Sequence, residues 1–323
     1  MNAAMNNAMN NYADASSRQP LLSVDGLKQY FPLKRGHVVR AVDGVTFQIY
    51  RNETYGLVGE SGSGKSTIGR TVIRLYEPTA GNVEFNGRCV SGRLNEHDRK
   101  MLRTKMQMIY QDPMSCLNPR KKALDIIAQG LDLNGFALSR GERSDLVYAM
   151  LEKVGLSPDH ANRYPHQFSG GQRQRIGIAR ALILKPDLII ADEAISALDV
   201  SIQAQIVNLM RTIQRETKTS YMFIAHDLSM VKYLSDRIGV LHRGHLVETG
   251  TKSEIFDRPL HPYTRSLIQA IPHPNPIYEK NRTAKPYDMN AQGIVYNEGQ
   301  LRLVEGTHFL LSTEAEFGRW TSV

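Results

Sequence analysis

The sequence contains one glycine-rich segment whose residue types suit the binding of a polyphosphate. It fits the pattern G-x-x-x-x-G-K-[ST] and consists of Gly59, Glu60, Ser61, Gly62, Ser63, Gly64, Lys65, Ser66 and Thr67. The glycines allow backbone N–H groups to turn towards phosphate oxygens. A helix that begins here directs its positive N-terminal end at the same anion. We expect Lys65 to contact the β- and γ-phosphates of a nucleoside triphosphate and Ser66 to ligate Mg²⁺.

Two adjacent carboxylates follow an apolar run further along the chain. The run Leu188–Ala191 predicts a buried strand, and Asp192 and Glu193 come directly after it. Ligands of open α/β sheets bind at the carboxyl ends of the strands. Phosphoryl transfer depends mainly on positioning and charge neutralisation. We therefore expect Asp192 to hold Mg²⁺ and Glu193 to orient and polarise an attacking water.

A third segment combines a serine with small residues at the start of a predicted helix. It consists of Ser169, Gly170, Gly171 and Gln172. The free N–H groups of a helix start can bind an anion. A simpler interpretation is that Ser169 only caps the helix. The residues alone leave both interpretations open.

Strand-like and helix-like segments alternate along the chain and place these residues at element ends. The predicted strands are Tyr55–Val58, Met106–Tyr110, Leu188–Ala191 and Tyr221–Ala225, and the predicted helices include Lys65–Leu75, Gly171–Leu184 and Ile202–Ile213. This alternation predicts an α/β fold with a mostly parallel sheet. Short β-branched runs before residue 50 predict a small antiparallel sheet at its edge.

Changes in composition suggest the domain organisation. Residues 1–20 are rich in Asn, Ala and Ser, which favours a disordered N-terminal lead. We predict one α/β domain over residues 21–258. Apolar residues at helical spacing predict a helical subdomain inserted at about 115–164. A proline-rich stretch that begins at Pro259 indicates a boundary, and we predict a small C-terminal extension over residues 259–323.

Composition excludes some classes of protein. The chain has 323 residues, 41% hydrophobic and 22% charged, which is typical of a globular protein. Neither a signal peptide nor an apolar run of about 20 residues is present, so we expect no secretion and no membrane span. The net charge of +8 suits polyanions without choosing among them. Cys89 and Cys116 match no CxxC pattern.

The phosphate loop, the helical stretch, the Ser-Gly-Gly-Gln segment and the Asp-Glu strand follow one another in an order that resembles the ATPase subunits of ABC transporters. The resemblance implies a P-loop NTPase fold of the ABC nucleotide-binding type, with ATP and Mg²⁺ as ligands. It also implies that the signature segment, residues 169–172, covers the γ-phosphate of ATP bound to the phosphate loop of a second ATPase subunit.

Further site residues follow from the resemblance. Gln111 matches the Q-loop glutamine, which contacts Mg²⁺ and water, and His226 matches the switch histidine on the γ-phosphate. Asp199 lies in a segment similar to the D-loop, which crosses the dimer interface. An aromatic residue should stack on adenine. Spacing favours Phe31, and Tyr30 is the alternative.

Two stretches resemble the importers of oligopeptides and dipeptides. They are residues 111–120, beginning Gln-Asp-Pro, and the His-Pro-Tyr segment with Ala-Ile-Pro after it, residues 261–272. In this subgroup two ATPase chains pair beneath two permease subunits, supplied by an extracytoplasmic binding protein. The chain resembles the second of the two ATPase types. The resemblance implies peripheral attachment to the cytoplasmic face of the inner membrane.

The chain departs from the family pattern at two places. Ala194 stands where proline often follows the catalytic glutamate, and residues 277–323 lack the cysteines that can bind an iron–sulfur cluster, so we expect no cluster. Proteins with this core also serve nickel, sugars or opines, so the solute could belong to one of those classes instead of the peptides.

An ABC core is also compatible with two functions in which the chain does not drive transport by hydrolysing ATP. One is a soluble ABC ATPase that acts on nucleic acid, and the other is a regulatory subunit that does not hydrolyse ATP. The spacing between Gln111 and Ser169 excludes the long coiled coil of the DNA-repair members of the family. We therefore expect no nucleic-acid partner. The complete set of Lys65, Asp192, Glu193, Ser169 and His226 argues against a subunit that lacks hydrolysis.

Overall fold

The structure is a computed structural model that describes residues 19–271 and 287–322. Most of the predicted N-terminal lead lies outside the described residues, as do positions 272–286. The strands are β1 Pro20–Pro32, β2 Val38–Tyr50, β3 Thr54–Val58, β4 Ala80–Phe85, β5 Arg88–Cys89, β6 Met106–Ile109, β7 Leu188–Asp192, β8 Ser220–Ala225, β9 Arg237–His242, β10 His245–Thr251, β11 Gln300–Glu305 and β12 His308–Ser312. No helix within these described ranges is long and apolar enough to cross a membrane.

The helices lie between these strands, except for α11, which follows β12. They are α1 Lys65–Val72, α2 Glu96–Lys105, α3 Pro113–Cys116, α4 Ala123–Leu133, α5 Arg140–Lys153, α6 Gly170–Leu182, α7 Val200–Thr217, α8 Leu228–Leu234, α9 Lys252–Asp257, α10 Pro262–Gln269 and α11 Glu314–Thr321. Helices α3, α4 and α5 and two short 3-10 turns occupy residues 113–167, where the sequence predicts a helical subdomain.

The strands form two sheets. The main sheet has the order β11-β12-β10-β9-β3-β8-β7-β6, and its strands from β9 to β6 are parallel. The smaller sheet is antiparallel, in the order β2-β1-β4-β5. The predicted α/β fold with an antiparallel edge sheet is therefore confirmed. Strands β11 and β12 come from the predicted C-terminal extension, yet they continue the main sheet.

The central parallel strands of the main sheet, β3, β7 and β8, are buried on both faces, as expected for parallel strands. Neighbouring residues of β7 show this directly: Ile189 packs into a core that includes α4 and α6, whereas Ile190 packs into a core that includes α1 and the smaller sheet. Both residues are fully buried. The parallel part of the sheet is thus packed between two layers.

The register of the parallel strands brings three strand ends to one edge. Val58 lies beside Ala225, and Asp192 lies beside Ile224. The residues that follow these strands therefore emerge together. That edge carries the phosphate loop, Glu193 and His226.

Candidate functional site

The phosphate loop, residues 59–64, connects β3 to α1 and depends on glycine at both ends. A Cβ at Gly59 would lie 2.0 Å from the Leu241 carbonyl oxygen, and a Cβ at Gly64 would lie 2.3 Å from the Ala41 carbonyl oxygen. Gly64 also has φ +107°, in the left-handed region that disfavours side chains. Strands β2 and β9 therefore shape the loop through their backbones.

Lys65 is the buried cation of the loop. Its Nζ donates to the carbonyl oxygens of Gly59 at 2.8 Å and Glu60 at 2.7 Å, and only 4% of the residue is exposed. Burial lowers the pKa of Lys65, and the negative charges of Glu193 and Asp192 oppose that shift. The ammonium is thus fixed beside the two carboxylates.

Ser66 and Asp192 form a pair of oxygen donors. The Ser66 hydroxyl donates to Asp192 Oδ1 at 2.6 Å, and Arg70 contacts the other carboxylate oxygen at 3.5 Å. Burial raises the pKa of Asp192, while the Ser66 hydrogen bond and Arg70 lower it. Sequence reasoning missed Arg70. Its position four residues after Ser66 is the available signal, because such residues share a helix face.

Glu193 lies at the centre of a polar group. Gln111 Nε2 donates to its Oε2 at 2.8 Å, and His226 Nδ1 is 3.8 Å from its Oε1. Ser196 belongs to the same polar group, because its hydroxyl donates to the Glu193 backbone carbonyl oxygen at 2.9 Å. The backbone of Glu193 has φ +48°, which is uncommon for a non-glycine residue and frequent at functional sites.

The signature segment begins helix α6. Ser169 Oγ accepts from the backbone N–H of Gln172 at 3.3 Å, and the Gln172 side chain accepts from the Ser169 N–H at 3.0 Å. This is a capping box, so the capping interpretation describes the contacts within one chain. A Cβ at Gly171 would lie 2.6 Å from Ile202, which shows that α7 packs closely here. Asp199 is exposed at the start of α7.

The remaining loop residues differ in exposure. Ser63 is buried and Thr67 is half-buried, whereas Glu60, Ser61 and Gly62 are exposed. Gly170 leads into α6 without close crowding, since the nearest atom to an added Cβ is 3.6 Å away.

The two aromatic candidates for adenine stacking have different surroundings. The Tyr30 hydroxyl donates to Asp43 at 2.6 Å, and the Arg40 guanidinium lies over its ring at 5.6 Å. Phe31 packs edge-on against Tyr76, with 5.3 Å between ring centroids. Both rings are half-buried in β1. The preference for Phe31 stays a prediction.

Sequence reasoning also missed a contact from the His-Pro-Tyr segment. The backbone N–H of Glu60 donates to the hydroxyl of Tyr263 at 2.9 Å. The two residues lie 203 positions apart, so no local pattern could have paired them.

Comparisons with known proteins agree with this geometry. A family model described as "ABC transporter" matches residues 42–196, and one described as "Oligopeptide/dipeptide transporter, C-terminal region" matches residues 247–296. The chain is 56% identical over 300 residues to the "Oligopeptide transport ATP-binding protein OppF" of Bacillus subtilis, covering 93% of this chain and 98% of that protein. It is 53% identical over 279 residues to the "Dipeptide transport ATP-binding protein DppF" of Lactococcus lactis, covering 86% and 89%.

A solved structure is similar in fold. It is a dimeric ATP-binding cassette in a post-hydrolysis state bound to ADP and Pi. The TM-score is 0.66 at 27% identity, and the match covers 72% of this chain and 98% of that one.

Proposed function

The chain belongs to the family of ABC transporter ATP-binding proteins, and we propose that it is the ATP-hydrolysing subunit of an importer of oligopeptides or dipeptides. The observation that carries the proposal is the convergence of Lys65, Ser66, Asp192 and Glu193 at one sheet edge. This set supplies a phosphate-binding cation, oxygen donors for a metal and a carboxylate for water. Hydrolysis of a phosphoanhydride requires those three parts.

The donor set fits Mg²⁺. Ser66 Oγ and Asp192 Oδ1 lie 2.6 Å apart and are both hard oxygen donors, the ligand type that Mg²⁺ prefers beside phosphates. We propose that these two residues hold the metal and that Gln111 assists them. When bound, Mg²⁺ neutralises charge on the phosphate oxygens.

Glu193 acts on the attacking water in this proposal. Its carboxylate accepts a hydrogen bond from the water and polarises it towards the γ-phosphate. The Gln111 amide restrains one carboxylate oxygen, and His226 lies beside the other, so Glu193 keeps a fixed orientation. His226 is largely exposed, with 56% of its side chain accessible, and can turn to donate to a γ-phosphate oxygen.

A second ATPase subunit completes the site. Ser169 to Gln172 present the N-terminus of α6, and exposed Asp199 adjoins them across the contact between Gly171 and Ile202. We propose that this surface covers the γ-phosphate on the partner ATPase, in a heterodimer or a homodimer. The dimeric assembly of the similar cassette bound to ADP and Pi supports the arrangement.

A permease contact is expected next to Gln111. A groove of about 980 Å³ is lined by residues of α2, β6, α4 and α6, including Tyr110, which precedes Gln111. Arg99, Arg103 and Arg180 also line it, which suits an acidic segment. We propose that each of two permease subunits inserts such a segment into an ATPase groove. Movement there would reach Glu193 through Gln111.

The substrate class rests on the relatives. Their names describe oligopeptide and dipeptide transport, and the family model that matches residues 247–296 has the same description. We propose that the chain is attached peripherally to the cytoplasmic face of the inner membrane and that an extracytoplasmic binding protein supplies peptides to the permease subunits.

Uptake of labelled peptides tests the proposal. Cells with the native chain are compared with cells carrying Glu193→Gln, with Glu84→Gln as the matched control because Glu84 is exposed on β4. We expect Glu193→Gln to abolish uptake of one peptide class and Glu84→Gln to leave it intact. Unchanged peptide uptake together with lost uptake of nickel, sugars or opines would refute the peptide assignment but not the ATPase assignment.

A further inference from the structure

The peptide unit between Gly59 and Glu60 is held on both sides by side chains. Its N–H donates to the Tyr263 hydroxyl at 2.9 Å, and its carbonyl oxygen accepts from Lys65 Nζ at 2.8 Å. In a planar trans peptide the N–H and C=O point in opposite directions. A residue that fixes the N–H therefore also aims the carbonyl.

Tyr263 is itself rigidly placed. It is fully buried, and its ring packs on His242 at 4.2 Å and on Tyr287 at 5.2 Å between centroids. Its backbone N–H donates to His261 Nδ1 at 3.1 Å. Burial lowers the pKa of His261 to about 3, so this nitrogen stays available as an acceptor.

The support of Tyr263 extends into the C-terminal strands. Buried Glu248 accepts from the backbone N–H groups of Leu260 at 2.8 Å and His261 at 3.0 Å. The same carboxylate contacts His308 Nε2 of β12 at 2.7 Å. A continuous set of hydrogen bonds thus joins β12 and β10 to α10 and, through Tyr263, to the phosphate loop.

We propose that Tyr263 is a positioning residue for ATP binding, which acts by fixing the Gly59–Glu60 peptide and, through it, the Lys65 ammonium. The inference rests on the proposed ATPase function and deepens it. According to this inference, the His-Pro-Tyr segment helps to position the phosphate loop of the nucleotide site. A loop that is already ordered loses less conformational entropy when it binds, so affinity depends on this restraint.

The test compares Tyr263→Phe with the wild-type chain. Phenylalanine keeps the buried ring and removes only the hydroxyl that Glu60 donates to. We expect the Kd for a fluorescent ATP analogue and the KM for ATP to rise about fivefold, as loss of one hydrogen bond predicts. We expect kcat to stay within about twofold. Hydrogen exchange of the peptide covering residues 59–64 should become faster.

Tyr296→Phe is the matched control. Its hydroxyl bonds to His242 Nδ1 at 2.6 Å in the same cluster and makes no hydrogen bond to the described residues of the loop. We expect that variant to bind ATP like the wild type. The inference is overturned if Tyr263→Phe binds ATP as tightly as the wild type, or if both variants bind it equally weakly. In either case, ATP binding by the wild-type chain still supports the ATPase assignment. A wild-type chain that binds no ATP overturns both.

Discussion

Replacing Gly64 with alanine should disable the nucleotide site through one steric conflict. The new Cβ would lie 2.3 Å from the Ala41 carbonyl oxygen, whereas ordinary contacts begin near 3.4 Å. The loop or strand β2 must therefore move by about 1 Å. A misplacement of about 1 Å at a catalytic site costs on the order of 100-fold. We expect kcat/KM for ATP to fall by about that factor.

The assay is steady-state ATP hydrolysis by the purified chain with its partner ATPase. Gly26→Ala is the control, because Gly26 also has positive φ, +58°, but no atom lies within 4 Å of an added Cβ. That change isolates the backbone strain, about 1–2 kcal/mol of stability, from the collision. Gly64→Ala activity within about tenfold of wild type, or an equal loss in Gly26→Ala, would refute the steric argument.

Three further predictions concern catalysis, the metal and pH. Glu193→Gln should abolish ATP turnover while ATP stays bound, as measured by an ATP hydrolysis assay and by retention of labelled nucleotide. Full turnover in this variant would show that another group activates the water. Ser66→Ala should raise the Mg²⁺ concentration for half-maximal activity at least about tenfold, because one ligand is lost; an unchanged Mg²⁺ titration would exclude Ser66 as a ligand. Burial lowers the pKa of His261 to about 3 and that of His242 to about 4. Both imidazoles stay neutral in the folded protein, whereas the same histidines take up protons in the unfolded chain below about pH 6.5. The free energy of unfolding should therefore fall as the pH drops towards about 4, by roughly 1.4 kcal/mol per pH unit for each histidine. His261→Asn keeps a cap acceptor and should flatten the denaturation profile over that range; an identical slope would contradict the assignment.

The central elements of the fold can be predicted from sequence because their signals are local. Four apolar residues before Asp192 are enough to predict strand β7, and the phosphate-loop pattern predicts a helix that begins at Lys65, where helix α1 begins. The predicted starts of the strands and helices that hold site residues lie within two positions of the starts in the structure.

Other elements depend on distant contacts. Strands β1 and β2 are longer than predicted, because register shifts interrupt the alternation that marks a strand. Helix α2, residues Glu96–Lys105, escapes prediction because only Leu102 of its residues is buried, so no apolar stripe reveals it.

The residues of the candidate site also fall into two groups, those predicted from local motifs and those brought in by distant contacts. Lys65, Asp192 and Glu193 are predicted from motifs whose residue order is local, and the sheet register brings their strands together. The proline-rich stretch indicates a boundary because prolines often mark one. Helix α10 instead packs Tyr263 into the core, a contact that only the three-dimensional arrangement reveals.

The continuation of the main sheet into β12 and β11 bears on how the chain can be shortened. Strand β12 pairs with β10 at Glu248 and Thr249, and so covers backbone groups that would otherwise form an open edge. Unpaired edges of sheets are templates for aggregation. Edge strand β11 pairs with β12 and carries the charged residues Arg302 and Glu305, of which Glu305 is exposed. A chain that ends at residue 258 would therefore expose the unpaired edge of β10 to aggregation. The C-terminal strands protect that edge.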